Sequence, residues 1–371
     1  MGKLCCKQSQ NPLLDESDIN SKITEKDFTS IKLIGRGSYG NVFLVRYKKN
    51  DKLYAMKVLN KSLLRQQNQE NNTKSERNLM IQINCPFIVN IKFAFQNDFN
   101  LFLVQEFLQG GDLFFHIHSQ PKFSNEKTKF YVTELVLAIE FLHKNNMLYR
   151  DLKPENILIG TDGHIKLTDF GLSKILSNSE KAYTICGTVQ YLAPEILYGE
   201  GYNEAVDWWS LGCIMYEMLT GKLPFRQLKN GKLNIEVYKN EIRYPEYIED
   251  DAKDLMSKLM EKDPSKRLGT GENGWEDVKA HPYFDGIDWE EAKKKNLKPP
   301  FVPKIKSEVD VKYFDNDFTD IQINDNDNDN DNIDLLYTDE DQGEDNYNGF
   351  TYVSNSLSEM KKMVSENDSE N

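Results

Sequence analysis

The spacing of the apolar residues in this chain changes at Gly110-Gly111. Between Phe28 and this pair, apolar and polar residues alternate in short runs, a pattern that predicts strands. These runs occupy 31–34, 42–47, 53–59, 93–95 and 101–107, with one helical segment at 68–83. Beyond the pair the spacing becomes helical, and it stays so to about Phe284 apart from short strands at 157–159 and 165–167. The sequence therefore predicts an α+β fold in two lobes, a β-rich small lobe and an α-rich large lobe, with a cleft between them.

Composition excludes several classes of protein. A hydrophobic content of 39% in 371 residues suits a globular chain with a large core. The sequence has no apolar run of the roughly 18 residues that a membrane span needs, and its N-terminus lacks the apolar core of a signal peptide. Its five cysteines have no metal-ligand or disulfide spacing, which favours a reduced compartment. We therefore predict a cytoplasmic protein.

The net charge of −13 arises largely at the C-terminal end. Residues 308–371 hold 19 of the 59 acidic residues but only 3 of the 46 lysines and arginines, so the rest of the chain is almost neutral. No surface of the kind that binds nucleic acid is expected. Asn324–Asn332 alternates Asn and Asp and predicts a solvated spacer. A calcium-binding EF-hand loop is the alternative, but Asn330 and Leu336 stand where it needs Gly and Glu.

A glycine-rich segment, Gly35–Val42, lies between the first two predicted strands. Its glycines allow backbone amides to close over phosphate groups without a Cβ in the way. Lys57 follows on an otherwise apolar strand and needs a partner, because an unpaired buried charge is costly. Glu76, in the next predicted helix, is the natural candidate. By itself a segment of this kind could also be an ordinary hairpin.

Three further motifs follow: Tyr149–Asn156 (YRDLKPEN), Asp169-Phe170-Gly171 and Ala193-Pro194-Glu195. With the glycine-rich segment, they resemble the catalytic loop, magnesium-binding turn and end of the activation segment of eukaryotic protein kinases, in the order and spacing of that family. The resemblance covers residues 28–284. It implies the bilobal protein kinase fold and two substrates, ATP and a protein hydroxyl, with Mg²⁺ as cofactor. Scattered motifs on an unrelated fold are the alternative.

The resemblance assigns roles to individual residues. It makes Asp151 the acceptor of the substrate proton and Lys153 the group that neutralises the migrating phosphoryl. Asn156 and Asp169 become the magnesium ligands, and Lys57, fixed by Glu76, contacts the α- and β-phosphates. The ATP-binding residues that it implies are Gly35, Arg36, Gly37, Ser38, Tyr39, Gly40, Val42, Ala55, Lys57, Gln105, Glu106 and Leu108. Among these, Gln105 is the residue behind the adenine, and Glu106 and Leu108 belong to the hinge between the lobes.

Within the kinases, the chain is similar to the AGC group, closest to its ribosomal-protein-kinase and protein kinase B branch. Tyr149 opens the catalytic loop where most kinases have His, and the run 184–188 (TICGT) matches the activation segment of the group. The resemblance makes Thr184 a phosphorylation site for an upstream kinase, with Arg150 and Lys174 as phosphate ligands. It gives Thr188 a part in selecting serine and threonine. Asn72 departs from the group, whose members often have His at this position of the helix.

The C-terminal segment is similar to the AGC tail. Residues 314–318 (FDNDF) resemble the part that crosses the ATP cleft, and 347–353 (YNGFTYV) resemble the hydrophobic motif that docks on the small lobe, with Thr351 as its phosphosite. The proline-directed site found between these parts in relatives is missing, since no Ser/Thr-Pro follows Pro303. We predict four segments: an N-terminal leader (1–27), the catalytic domain (28–284), the AGC tail (285–353) and a disordered polar end (354–371).

The protein substrates are expected to have arginine upstream of the target hydroxyl. Glu155 and Glu217 stand where basophilic relatives bind such arginines, and Asp112 replaces their usual Glu. Carboxylates can hold a guanidinium through two charge-assisted hydrogen bonds. A structural ion pair within the large lobe is the alternative for Glu217. The expected partners are these substrates and upstream activating kinases, and the kinase itself is expected to be a monomer.

The N-terminus carries Gly2 followed by Cys5-Cys6. Gly2 is placed for myristoylation and the cysteines for palmitoylation, although Cys6 stands where the myristoylation pattern asks for Ser or Thr. Two acyl chains anchor a protein stably to a bilayer, whereas one binds only marginally. The sequence therefore predicts dual acylation and attachment to the cytoplasmic face of a membrane. An unmodified N-terminus is the alternative.

Two rival functions remain open. A pseudokinase is a kinase-shaped binding module that usually lacks a catalytic group, whereas Lys57, Glu76, Asp151, Asn156 and Asp169 are all present here. A calcium-dependent kinase could share the acylated N-terminus, but it carries EF-hand loops after its catalytic domain, and no complete loop occurs in this chain.

Overall fold

The computed structural model describes residues 23–37, 39–176, 180–225, 228–229, 232–233, 235–271, 273–321, 347 and 349–354. They form a small lobe built on a sheet and a large lobe built mainly of helices, as the change of periodicity predicts. None of the helices in these ranges is long and apolar enough to cross a bilayer. The α+β, two-lobed architecture is therefore confirmed.

The small lobe is an antiparallel sheet with two helices. Its elements are β1 (Phe28–Gly37), β2 (Gly40–Tyr47), β3 (Leu53–Asn60), α1 (Lys61–Gln66), α2 (Glu70–Gln82), β4 (Ile91–Gln96) and β5 (Asn100–Glu106). The strands follow the order β1-β2-β3-β5-β4, and aromatic side chains including Phe28, Tyr47 and Phe93 pack on one face. The sheet thus brings β1–β3 and β5 to the edge of the cleft.

The predicted helix at 68–83 begins later than expected, and a short helix precedes it. Asn68 has a φ of 55°, in the left-handed region, so no helix can run through it. Before it, Asn60 caps α1 by accepting a hydrogen bond from the Leu63 amide at 3.0 Å. Six residues are too few for a periodic pattern, which is why the sequence did not predict α1.

The large lobe begins with α3 (Leu113–His118) and α4 (Asn125–Lys144). Its remaining elements up to the tail are β6 (Met147–Leu148), β7 (Ile157–Ile159), β8 (Ile165–Leu167), β9 (Lys174–Ile175), α5 (Pro194–Leu197), α6 (Ala205–Thr220), β10 (Leu228–Lys229), β11 (Lys232–Leu233), α7 (Asp250–Leu259), α8 (Trp275–Lys279) and α9 (Trp289–Lys293). Within the described residues, short 3₁₀ helices of three to five residues occur at 25–27, 154–156, 189–191, 235–239 and 282–284. Helices α4 and α6 form the core, where Trp208 and Trp209 are fully buried.

The C-terminal segment returns to the small lobe. It adds α10 (Asn316–Thr319) and β12 (Tyr352–Val353). Strand β12 pairs antiparallel with β4 and becomes the sixth strand of the sheet. Tyr347 and Phe350 are buried beside it. The edge of β4 that would otherwise be exposed is therefore covered by the tail.

Candidate active site

A cleft of about 740 Å³ lies between the two lobes. Residues from both lobes and from the tail line it. The sequence-predicted residues among them are Gly35, Arg36, Gly37, Tyr39, Gly40, Val42, Ala55, Lys57, Glu76, Gln105, Glu106, Leu108, Asp112, Asp151, Lys153, Glu155, Asn156, Asp169 and Thr188. The structure thus brings together residues that are more than 150 positions apart in the sequence.

The turn between β1 and β2 forms the roof of this cleft. A Cβ at Gly40 would lie 1.8 Å from the Val58 carbonyl oxygen of β3, so only glycine allows the two strands to approach this closely. Ser38, at the tip of the turn, lies outside the described residues.

Lys57 lies between two carboxylates at the back of the cleft. Its Nζ is 3.2 Å from Glu76 Oε1 on α2 and 3.1 Å from Asp169 Oδ1. Burial lowers the pKa of Lys57, but the carboxylates of Asp169 and Glu76 outweigh burial and raise it above its ordinary value. Lys57 in turn lowers the pKa of Asp169, and burial raises that of Glu76. The predicted Lys57–Glu76 contact is present, with α2 close against the sheet.

Asp151 lies at the floor of the cleft, held by three neighbours. The Thr188 hydroxyl donates a hydrogen bond to Asp151 Oδ1 at 2.8 Å, and Lys153 Nζ lies 3.0 Å from Asp151 Oδ2. Asn156 Nδ2 donates to both the carbonyl oxygen and Oδ2 of Asp151, at 2.9 and 3.0 Å. Lys153 also donates to the Thr188 hydroxyl at 2.9 Å. The carboxylate therefore has a fixed orientation toward the cleft.

Asp207 of α6 holds the catalytic loop from below, and sequence reasoning missed it. Its carboxylate accepts hydrogen bonds from the backbone amides of Tyr149 and Arg150 at 3.0 and 2.9 Å, and His143 Nε2 lies 2.9 Å away. These contacts hold Arg150 at a φ of 70°, a conformation that costs free energy for a residue with a side chain. An acid amid the apolar residues of α6 was the signal that could have revealed it.

Asn156 and Asp169 are the oxygen donors available for a divalent cation. Among the residues that the structure describes, no cluster of three or more His, Cys, Asp or Glu side chains could enclose a metal. The Asp169 side chain is 46% exposed to the cleft, and the amide nitrogen of Asn156 is used by Asp151, which leaves the amide oxygen. Two oxygens fit a hard cation that completes its coordination with nucleotide phosphates and water.

The predicted phosphate ligands already have other partners. Arg150 Nη1 donates to the Tyr202 hydroxyl at 3.2 Å, and this hydroxyl donates to the carbonyl oxygen of Thr184 at 2.7 Å. Lys174 Nζ pairs with Glu180 at 3.1 Å. The Thr184 side chain is exposed. Arg150 is connected to Thr184 through the Tyr202 hydroxyl.

The three predicted substrate-binding acids differ in their surroundings. Asp112 caps α3 by accepting a hydrogen bond from the Phe115 amide at 2.7 Å. Burial, with repulsion from Glu155 and Asp315, raises its pKa to about 6 although this hydrogen bond opposes the shift. Glu155 is exposed. The Glu217 side chain is only 4% exposed, and burial raises its pKa even though it accepts a hydrogen bond from the Tyr191 hydroxyl at 2.7 Å.

The tail contacts the small lobe in two places. Phe314 stacks on Phe107 at the hinge, with ring centroids 5.7 Å apart, and reaches into the cleft. At the other place, Arg77 of α2 donates to the carbonyl oxygens of Gly349 and Thr351 at 3.0 and 3.1 Å. The predicted phosphosite Thr351 is exposed there. The predicted lipidation sites Gly2, Cys5 and Cys6 lie outside the described residues.

Comparison with known proteins agrees with this geometry. The family model of the protein kinase domain matches residues 28–284. "Protein kinase 2" of Dictyostelium discoideum is 43% identical over 335 residues, which cover 90% of this chain and 68% of the relative. The "RAC family serine/threonine-protein kinase homolog" of the same organism is 40% identical over 339 residues, which cover 91% and 74%.

A third relative, the "RAC-beta serine/threonine-protein kinase" of Rattus norvegicus, is 42% identical over 304 residues, which cover 82% of this chain and 63% of the relative. These relatives are AGC kinases, as are similar proteins from two yeasts. The chain therefore belongs to the protein kinase family, within its AGC group of serine/threonine kinases.

Proposed function

We propose that this kinase transfers the γ-phosphoryl group of magnesium-bound ATP to serine and threonine hydroxyls that follow an upstream arginine. Phosphorylation of Thr184 and Thr351 activates it. The observation that carries the catalytic part is the pair of contacts facing one another across the cleft: Lys57 between Glu76 and Asp169, and Asp151 fixed by its neighbours. A binding module without catalysis has no need for both.

The chemistry follows from positioning and charge. As the substrate oxygen bonds to the γ-phosphorus and the bond to the departing ADP oxygen breaks, Asp151 orients the hydroxyl and accepts its proton. Thr188 keeps Oδ1 of Asp151 in place, and Lys153 neutralises charge on the transferring group. Lys57 contacts the α- and β-phosphates. Asn156 and Asp169 would hold the magnesium ions, which would neutralise charge along the phosphates.

Arginine selection rests on three acids near the substrate end of the cleft. Asp112 and Glu155 line the cleft, and Glu217 is not among the residues that line it. Burial, and after it repulsion from Glu155, raises the pKa of Asp112, so a guanidinium at either acid is attracted by both carboxylates. The cation relieves this repulsion and forms charge-assisted hydrogen bonds, which neutral side chains cannot offer.

Activation depends on a phosphate group that competes with existing partners for basic side chains. A phosphate on Thr184 brings nearly two negative charges beside Arg150 and draws it and Lys174 from Tyr202 and Glu180. On Thr351 it lies beside Arg77, whose guanidinium already contacts the neighbouring backbone. The phosphate on Thr184 therefore replaces existing contacts of Arg150 and Lys174, whereas the phosphate on Thr351 strengthens the existing contact between the tail and α2.

Phosphoryl transfer to an arrayed serine/threonine peptide library tests this proposal. Wild type is compared with Asp169→Ala and with Asp285→Ala, which removes an exposed acid far from the cleft. Each protein is assayed before and after treatment with an upstream AGC-activating kinase. We expect transfer to peptides with arginine three residues upstream, raised by Thr184 phosphorylation, lost in Asp169→Ala and kept in Asp285→Ala. No transfer from fully Thr184-phosphorylated wild type would establish a pseudokinase instead.

We also propose that Gly2 is myristoylated and that Cys5 and Cys6 are palmitoylated, which would hold the kinase at the cytoplasmic face of a membrane. Their spacing in the sequence supports the proposal. Metabolic labelling with a myristate analogue is expected to mark wild type and to disappear in Gly2→Ala. Labelling that persists in this variant would remove Gly2 from the proposal.

A further inference from the structure

His118, the last residue of α3, covers the carboxylate of Glu217. Its Nδ1 lies 3.0 Å from the carbonyl oxygen of Phe114, and its ring lies on the Phe114 ring with centroids 4.0 Å apart. Since a carbonyl oxygen can only accept, Nδ1 carries a proton. The other ring nitrogen, Nε2, is thereby directed away from the helix, and it lies 3.9 Å from Glu217 Oε1.

Glu217 is available to a ligand mainly on this side. Its Oε2 accepts the hydrogen bond of the buried Tyr191 hydroxyl, and the side chain is only 4% exposed. His118, by contrast, is 46% exposed, so its ring can change rotamer at little cost in packing. A cation that approaches Oε1 from solvent therefore meets the imidazole first.

The charge of the group in front of Glu217 decides how strongly that group competes with a ligand for the carboxylate. With both nitrogens protonated, the ring donates to the Phe114 carbonyl and attracts Glu217. With only Nδ1 protonated, the lone pair of Nε2 faces the carboxylate, and the contact becomes repulsive. Among the described residues, the other charged and titratable groups that interact with Glu217 or Asp112 include Glu155, Tyr191, Cys213 and Asp315.

We propose that His118 is a specificity-determining residue that controls whether Glu217 can take a second upstream arginine of the substrate. This inference rests on the proposed arginine-directed function. The protonated imidazole competes with the guanidinium for Glu217, whereas the neutral imidazole gives way to it. The first arginine, received by Asp112 and Glu155, is common to both kinds of substrate, so an effect of His118 on it does not distinguish them. The kinase consequently distinguishes substrates with two arginines from those with one more strongly when His118 is neutral.

The test compares a peptide that has a single arginine three residues upstream with a series of peptides that carry a second arginine. In this series the second arginine is placed in turn at each other upstream position. The measured quantity is the ratio of the kcat/KM values of the two kinds of peptide at a single pH near neutrality. The variants are His118→Ala, His118→Lys and Glu217→Gln. Lys122→Ala serves as the matched control, because its ammonium lies over the Tyr247 ring rather than on Glu217.

We expect the two-arginine ratio to be about threefold higher in His118→Ala than in His118→Lys, as suits a partly exposed ion pair, with wild type between the two. Lys122→Ala should follow wild type. Equal ratios in His118→Ala and His118→Lys would overturn the inference.

Two further results would overturn it for different reasons. If the ratio in Glu217→Gln equals that of wild type, Glu217 is not the receptor for the second arginine. If wild type shows no preference for the first arginine over alanine, the arginine-directed function itself is wrong, and the inference falls with it. The single-arginine comparison thus separates failure of the proposed function from failure of the role of His118.

Discussion

Replacing Phe350 with alanine should detach the tail from the small lobe. Phe350 is 3% exposed, contacts the Tyr347 ring edge-on at a centroid distance of 6.0 Å, and lies under the Arg77 guanidinium at 5.8 Å. Truncation of a buried phenylalanine costs about 3–5 kcal/mol. A loss of about 3 kcal/mol in docking free energy raises the ratio of undocked to docked tail by roughly 150-fold.

Detachment should also loosen α2, because two of its residues contact the tail. Arg77 donates to tail carbonyl oxygens and the ammonium of Lys74 lies 5.2 Å from the Tyr347 ring centroid, whereas Glu76 between them faces Lys57. Without these contacts α2 can move away, and the Lys57–Glu76 ion pair then separates. We therefore expect kcat/KM for peptide phosphorylation to fall in Phe350→Ala.

Hydrogen exchange followed by mass spectrometry measures both effects. In the docked state Ser354 donates its amide hydrogen to the Lys92 carbonyl, and β12 covers the edge of β4. Phe350→Ala should speed exchange in β4 and in α2, while Tyr247→Ala, which truncates an exposed aromatic of the large lobe, should change neither. Faster exchange in β4 with unchanged exchange in α2 and unchanged kcat/KM would refute the coupling between tail and α2.

Three more predictions concern the large lobe and the site. Arg267→Met should lower the free energy of unfolding by about 3–5 kcal/mol in urea titrations, because it leaves the buried Glu195 carboxylate without its partner at 2.6 Å. The preference for the first arginine should weaken as the pH falls through about 6, where Asp112 gains a proton and loses its charge; Asp112→Asn should show a weak preference that changes little with pH. Thr188→Val should lower kcat about 10- to 100-fold by removing a hydrogen bond to the Asp151 carboxylate, whereas Thr188→Ser should retain most activity in the same peptide assay.

Much of the site could be predicted because its residues lie in short motifs on single elements. Gly35–Gly40 and Lys57 follow one another on β1–β3, and Asp151 and Asn156 share one loop, so their spacing in the sequence already fixes their relative positions. The two-lobed fold followed from the change in periodicity for a similar reason, since strand and helix patterns are local. The order of the strands, the short helix α1 and the start of α2 needed the structure.

The contacts that could not be predicted join distant elements through one side chain each. Asp207 holds the catalytic loop from a helix whose first turns are otherwise mostly apolar, and His118 reaches Glu217 from the end of a six-residue helix. Periodicity reports which face of a helix is buried, but not which neighbour a polar residue on that face meets. A buried acid in an apolar helix indicates that a partner exists, but the sequence does not show which residue that partner is.

In the described contacts, the tail stabilises the position of α2 in a way that the activation segment does not. Asn72, which stands where the group often has histidine, donates to Gln69 on its own side at 2.6 Å rather than toward Thr184. Lys74 and Arg77, by contrast, both face the docked tail. Since the Lys57–Glu76 ion pair depends on where α2 lies, the tail and the activation segment should act on catalysis by separate routes. Their effects on kcat/KM should then multiply rather than depend on each other, because contacts without shared partners contribute additively to free energy.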